Sequence, residues 1–279
     1  MNLVLMKYDL HSHSYYSDGS LSPTDLVNQA QEAGISHLAL TDHDTISGLQ
    51  EARAAAQSTE LVLINGVELS CNWQHQLLHV VGLNIDPENA TLLAGIKQNR
   101  QRRFDRAEAM FADFEKHDIH IRDQVQALIH HDAVPTRPHF ADALVEQGHA
   151  KNKKQAFKRF LVRGKPGFIP MQWPTIEEIG EWITAADGIA VLAHPTRYNF
   201  TRSKLVRLIV DMQAAQISAM EVTTAITNPS QASMLSQLAL EHDLLASTGS
   251  DFHSNDQQWA KLGRTDPLSP ELTPVWSQF

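Results

Sequence analysis

The sequence predicts an α/β protein whose strands pair in parallel, in a barrel-like or doubly wound sheet. Three observations carry this expectation. Short apolar runs alternate with amphipathic segments at both ends of the chain, and strands separated by helices need the crossovers that pair them in parallel. Histidines and carboxylates gather where the apolar runs stop. The length of 279 residues, 42% of them hydrophobic, suits one α/β barrel of ~250 residues.

The first apolar run, Leu3 to Met6, reads as a strand and leads into Asp9-Leu-His-Ser-His-Ser. His11 and His13 are two apart, so on an extended chain both imidazoles leave the same side. Asp18 follows in a Ser-Asp-Gly turn. Ser22 and Pro23 then open a helix, as N-cap and first helical residue, with Leu26, Val27, Ala30 and Ala33 on one face and Gly34 closing it. A second strand, His37 to Leu40, ends at Thr41-Asp-His-Asp44. A helix through Leu49, Ala52 and Ala56 precedes a third strand, Leu61 to Ile64, which runs into Gly66-Val-Glu68. Leu77 to Val81 is the fourth and contains His79.

The rhythm resumes at Gly188 to Ala193, ending at His194-Pro195. A helix over 202–216 leads to the strand Ala219 to Val222. A helix around Leu235, Leu238 and Ala239 leads to Leu244–Thr248, which ends at Gly249-Ser-Asp-Phe-His253. Between the two stretches, 88–175 carries helical patterning alone, through Leu92, Ile96, Phe104, Met110, Phe114, Val125, Leu144, Phe157 and Phe160. A structureless loop of that length is improbable. The expected organisation is therefore a barrel from 1–87 and 176–279, with 88–175 as a helical insertion that contributes to substrate binding.

Composition narrows the function. One cysteine, Cys71, leaves no disulfide framework and no thiolate zinc site, and its expected role is inert packing. No signal peptide pattern and no run near ~18 apolar residues is present, so a cytoplasmic protein with no membrane contact is expected. A net charge of −9, from 32 acidic and 23 basic residues, argues against a broad nucleic-acid-gripping surface but leaves room for a local basic pocket.

Six histidines (His11, His13, His43, His79, His194, His253) and three carboxylates (Asp18, Glu68, Asp251) are expected to share one mouth, because parallel α/β folds build sites beyond the strands' C-terminal ends. Nine nitrogen and oxygen donors exceed the needs of one ion. The mixed set suits manganese, iron or zinc, and its size suggests two or three ions. With no serine or cysteine nucleophile in an evident turn, the chemistry indicated is hydrolysis by metal-activated water. Paired ions suit a phosphoryl centre.

Asp9-Leu-His-Ser-His-Ser, Thr41-Asp-His-Asp, Gly66-Val-Glu-Leu, Ala193-His-Pro and Gly249-Ser-Asp-Phe-His resemble the motifs of the PHP (polymerase and histidinol phosphatase) family. With Thr136-Arg-Pro-His139 and the helical insertion, the chain looks like the TrpH/YciV branch, which includes 5′-to-3′ exoribonucleases and nucleoside 3′,5′-bisphosphate phosphatases. The resemblance covers nearly the whole chain. It implies a distorted seven-stranded β/α barrel with a trinuclear, usually manganese, centre. Carried over by position, His11, His13, Glu68 and Asp251 would hold one ion. Glu68, His79 and His194 would hold a second, and Asp18, His43 and His253 a third. Glu68, His43, Asp18 and His194 are the expected catalytic residues, and Glu68 the bridge. Asp9, Asp42 and Asp44 would orient the ligating imidazoles, with structural capping the competing role for Asp44.

A phosphate that does not react needs its own grip. Arg100 and Arg103, three apart on the insertion's first helix, could fork around one, although a solvated basic face competes. Arg137 and His139, flanking a proline, are the better preorganised pair, and the resemblance places them over the site. Trp73, Trp173 and Trp182 are expected to pack rather than stack on a base. The substrates implied are short single-stranded RNA and nucleoside 3′,5′-bisphosphates, with cleavage at the 3′-oxygen–phosphorus bond and no obligate protein partner. An amidohydrolase-type C–N hydrolase would want a bridging lysine where Glu68 stands. A non-catalytic accessory module would be expected to have lost ligands.

Overall fold

The computed structural model of the chain describes residues 6–130 and 133–279. Seven strands form a single nearly closed barrel: β1 (Tyr8–Asp9), β2 (His37–Leu40), β3 (Val62–Trp73), β4 (Gln76–Leu83), β5 (Ile189–Leu192), β6 (Ala219–Thr224) and β7 (Leu245–Gly249). They lie side by side in chain order, which excludes a doubly wound sheet. The chain just beyond β1 closes the ring by pairing with β7 and with residues 250–252. Leu10 N donates to Thr248 O at 3.0 Å, Asp251 N to His11 O at 2.9 Å, and His13 N to Phe252 O at 2.9 Å.

Pairing is parallel for β1–β2–β3 and for β5–β6–β7, as the sequence predicts. It is antiparallel on both sides of β4, where the sequence suggested parallel strands throughout. The reason is the length of β3. The expected strand covered only the continuous apolar run Leu61–Ile64, although Val67, Leu69, Cys71 and Trp73 alternate with Glu68, Ser70 and Asn72 beyond it. The backbone instead continues to Trp73, turns at Gln74 and His75 (φ 46° and 63°), and returns as β4. Two residues at positive φ make a tight hairpin turn, and Gln-His lacks the Asn-Gly signal that would have announced it. The strand expected at Leu3–Met6 lies almost wholly outside the described residues, and the pairing begins at Tyr8.

Helix α1 (Pro23–Glu32) starts as expected: the Ser22 hydroxyl accepts from Asp25 N at 2.9 Å, and Gly34 follows the C-terminus at φ 72°. Helices α2 (Leu49–Ala56), α7 (Ile176–Ala185), α8 (Arg202–Ala214) and α9 (Pro229–Glu241) complete the barrel's outer layer. Leu10, Ala39, Ile64, Val81, Leu83, Val191, Ala193 and Ala219 fill the interior, contributed by or next to six of the strands.

Between β4 and β5 come α3 (Ala90–Lys116), α4 (Arg122–Ala127), α5 (Arg137–Glu146), α6 (Lys153–Ala156) and a π-helical turn, Phe157–Leu161. The 27-residue α3 joins two cores. Leu92 and Ile96 enter the barrel's outer cluster, while Ala107, Met110, Phe111 and Phe114 enter a separate one with Phe140, Leu144 and Phe160. Gly95 allows α3 to approach α7, since a Cβ there would sit 2.3 Å from the Trp182 ring. Among the described residues, no helix is long and apolar enough to cross a membrane.

Candidate metal and phosphate site

Backbone pairing brings the expected ligands together. The segments after β1 and β7 run alongside each other, so His11 and His13 face Asp251 and His253. Gly249 permits this, because a Cβ there would meet His11 Cβ at 2.3 Å and His11 N at 2.8 Å. Beyond β2, Asp44 N donates to Glu68 O at 2.8 Å, which sets His43 beside Glu68. Ser70 pairs with His79 across the hairpin, and His194 follows β5 in the left-handed region at φ 31°.

Glu68 lies at the centre. Its Oε1 is 2.9 Å from His79 Nδ1 and 3.0 Å from His194 Nε2. Its Oε2 is 2.8 Å from His43 Nδ1 and 3.3 Å from both His11 Nε2 and His13 Nε2. Asp251 Oδ1 stands 3.3 Å from His13 Nε2, and Asp18 Oδ1 stands 3.3 Å from His253 Nε2. Among the described residues, three groups are compact enough to hold an ion: His13, Asp18, His43 and His253; His11, His13 and Glu68; and His43, Glu68 and His79. Glu68 belongs to two of them. So do His13 and His43, which the resemblance assigned to one ion each.

The donor set fits metal ions. Eight buried side-chain nitrogen and oxygen atoms among the described residues make no hydrogen bond, and seven belong to His13, Asp18, His43, Glu68, His79, His194 and Asp251. Such atoms each cost roughly 1–3 kcal/mol unless something else satisfies them. Burial would raise the Glu68 carboxyl, but the surrounding rings, His43 foremost, outweigh it and hold it well below the usual carboxylate range. Asp18 and Asp251 are lowered the same way against burial, by His253 and His11 first. Burial takes His13 down to about 3 and His79 down to about 4, so both present neutral lone pairs. The nearby carboxylates raise His11, His43 and His253 against burial, so ions entering here would replace protons on those rings.

Glu221, inside β6, orients the cluster, and the sequence reading missed it. Its Oε1 accepts from His11 Nδ1 at 2.6 Å, turning the His11 Nε2 lone pair toward Glu68, and its Oε2 accepts from His194 N. The signal was an ionisable residue in the middle of a buried strand. Among the described residues, the aspartates expected in this role make no hydrogen bond or ion pair with an imidazole side chain. Asp42 binds Ser14 N, Ser14 Oγ and Ser17 Oγ at 2.6–2.7 Å, fixing the loop before Asp18. Asp9 binds Ser250 N at 2.8 Å and Gly263 N at 2.7 Å. Asp44 faces α3, accepting from Asn99 Nδ2 at 2.7 Å and Arg103 Nε at 2.6 Å. Backbone and hydroxyl donors reach Asp9 and Asp42 first, and the α3 side chains reach Asp44.

Above the cluster opens a cleft of about 410 Å³, walled by Gln76, Leu77, Arg137, Arg197 and Tyr198. Arg197, also unforeseen, makes an ion pair with Asp251. Beside the cleft is a recess of about 50 Å³ lined by Arg103, Arg106, Arg137, Thr136, Ser70 and Trp173 together with Asp18, His43 and His79. The α3 pair that turns inward is therefore Arg103 and Arg106, whereas the Arg100 guanidinium lies over the Phe104 ring at 5.8 Å. Burial, with Arg137 and Arg103 nearby, pushes Arg106 down to about 9, and its Nε has no hydrogen-bond partner. This crowding of cations favours an anion. His139 is occupied differently: its Nδ1 accepts from Thr136 N at 3.1 Å, capping α5. It lines a neighbouring cavity of about 360 Å³ with Asp18, Lys153 and His253.

The PHP domain description matches residues 9–163. A 5′-3′ exoribonuclease from Haemophilus influenzae is 43% identical, over 98% of this chain and 99% of its own. The chain belongs to the PHP domain family. A 3′,5′-nucleoside bisphosphate phosphatase from Chromobacterium violaceum is 39% identical over 97% of this PHP chain and 95% of its own length. A solved structure from the same organism, described as an amidohydrolase with bound sulfate and no metal, superposes with a TM-score of 0.92 at 38% identity, over 98% of this chain and 95% of its own.

Proposed function

We propose that the chain is a metal-dependent phosphoesterase that cleaves the 3′-oxygen–phosphorus bond of 5′-phosphorylated nucleotides. It would act as a 5′-to-3′ exoribonuclease on short RNA, ribosomal RNA 5′ ends included, and as a nucleoside 3′,5′-bisphosphate phosphatase. One observation carries the reading: a nine-residue nitrogen and oxygen cluster shares Asp18, His43 and His79 with a three-arginine recess. Two sites for anionic phosphorus thus adjoin, one suited to reaction and one to holding. Each relative, by its name, acts on one member of this substrate pair.

In this proposal the ions are Mn²⁺, up to three, held by His11, His13, Glu68 and Asp251; by Glu68, His79 and His194; and by Asp18, His43 and His253. Bound there, they would neutralise phosphoryl charge and acidify water toward neutrality. The chain's own residues do the rest. Glu68 spans neighbouring ion positions, and His43, Asp18 and His194 complete the reacting end. Arg103, Arg106 and Arg137 hold the 5′-phosphate, so one nucleotide spans the gap to the reacting centre. Residues 88–175 then serve as the insertion that supplies Arg103, Arg106 and Arg137, and the enzyme works in the cytoplasm. Glu68, rather than a lysine, sits among the histidines, which disfavours C–N hydrolysis through a carbamylated lysine.

The test is phosphate release from adenosine 3′,5′-bisphosphate. Protein stripped by chelator should be inactive, and Mn²⁺ should restore release of one phosphate, leaving adenosine 5′-monophosphate. Full activity in stripped protein, or adenosine 3′-monophosphate as product, refutes the proposal.

A further inference from the structure

Asp44 follows His43 directly, yet its carboxylate points away from the imidazoles. Its backbone takes a positive φ of 49°, rare without glycine, and its N–H is bound to Glu68 O at 2.8 Å. That conformation aims the side chain across to α3. There Oδ2 accepts from Arg103 Nε at 2.6 Å, while Oδ1 accepts from Ser70 N at 3.0 Å and Asn99 Nδ2 at 2.7 Å. Arg103 Nη2 donates to Ser70 Oγ at 2.8 Å, and Trp173 covers the guanidinium at 5.4 Å. Asp44 is fully buried and Arg103 is 9% exposed. With Nε and one Nη2 proton committed, the remaining N–H groups of Arg103 are those available to the recess it lines with Arg106 and Arg137.

We infer that Asp44 is a positioning residue that locks Arg103 into the phosphate recess and so sets the preference for 5′-phosphorylated substrates. The inference rests on the function proposed above. The arrangement explains how one short segment serves both sites: His43 faces the ion cluster, and the next residue anchors the arm that grips the distant phosphate. A paired guanidinium loses little freedom when phosphate arrives, whereas an unpaired one would have to be ordered at that moment.

The experiment compares kcat/KM for adenosine 3′,5′-bisphosphate with that for adenosine 3′-monophosphate, which lacks the 5′ group, in Mn²⁺-loaded protein. Asp44→Asn keeps the shape but has one acceptor oxygen, so it cannot serve both Arg103 and the Ser70–Asn99 pair. The ratio of the two kcat/KM values should fall at least about tenfold, mainly through KM for the bisphosphate. A merely structural defect lowers both values together. In an Arg103→Ala background the ratio should already be low, and Asp44→Asn should lower it no further. Ser70→Ala, which removes only the Nη2 acceptor, should give a smaller fall and serves if Asp44→Asn does not fold. A wild-type ratio in Asp44→Asn, or an equal further fall without Arg103, overturns the inference. A wild-type enzyme indifferent to the 5′-phosphate overturns the proposed function itself, which is a distinguishable result.

Discussion

The carboxylate–imidazole cluster and the arginine recess share Asp18, His43 and His79, but the chain builds them by different means. At the barrel mouth, donors leave strands whose partners on both sides fix their direction, and Glu68 is completely buried among five imidazoles. In the recess, Arg103 and Arg106 come from α3 and Arg137 from α5, with Asp44 the one carboxylate bound to any of them in the described structure. The first is a rigid collection of lone pairs; the second is a set of long cationic arms held from behind. Chemistry that needs fixed geometry belongs to the strands. Recognition of a diffuse dianion tolerates the helices.

Substitutions should separate the two. Glu68→Gln should have the largest effect, lowering kcat on the order of 10³-fold, more than loss of any one outer histidine, because it removes charge shared between ion groups. Steady-state kinetics with metal analysis checks this, and a loss smaller than that from His194→Ala would contradict it. Arg137→Ala or Arg106→Ala should instead raise KM about 10- to 100-fold for 5′-phosphorylated substrates, with metal content unchanged by elemental analysis. Metal lost with either arginine would erase the distinction between the regions.

How far the sequence disclosed each region reflects the same division. Spacing of two residues after an apolar run locates His11 and His13 whatever the rest of the fold does, and all nine donors were readable from their places at or near strand ends. The arginines were not. Each residue on a helix turns about 100°, so the inward face depends on how α3 docks, and packing against α7 through Gly95 turned Arg106 rather than Arg100 toward the site. Glu221 was hidden for another reason: a buried glutamate is told from a misplaced surface residue only by its partners, His11 and His194. The β3–β4 hairpin escaped because the expected strand followed only the continuous apolar run Leu61–Ile64, although Val67, Leu69, Cys71 and Trp73 alternate with Glu68, Ser70 and Asn72 in the period-two pattern of a strand.

Smaller changes sharpen the comparison. Glu221→Gln places an amide where two donors, His11 Nδ1 and His194 N, now meet a carboxylate. Metal affinity should fall about 10- to 100-fold, measured by titrating stripped protein, with KM for the 5′-phosphate little changed. Gly95→Ala forces a methyl toward Trp182 and should destabilise the fold by about 1–3 kcal/mol in urea melts. Metal binding should persist, and the preference for a 5′-phosphate should weaken, because the disturbed helix carries Arg103 and Arg106 but none of the nine donors.

The central claim is that a phosphate held in the recess measures one nucleotide to the ions at the barrel mouth. The most direct measurement tracks RNA labelled at either end, 5′-phosphorylated or 5′-hydroxyl, through a time course with Mn²⁺. Stepwise release of nucleoside 5′-monophosphates from the 5′ end is expected, much slower when the 5′-phosphate is absent. Mononucleotides released from the 3′ end, internal cuts in circular RNA, or equal rates on both 5′ ends would contradict it.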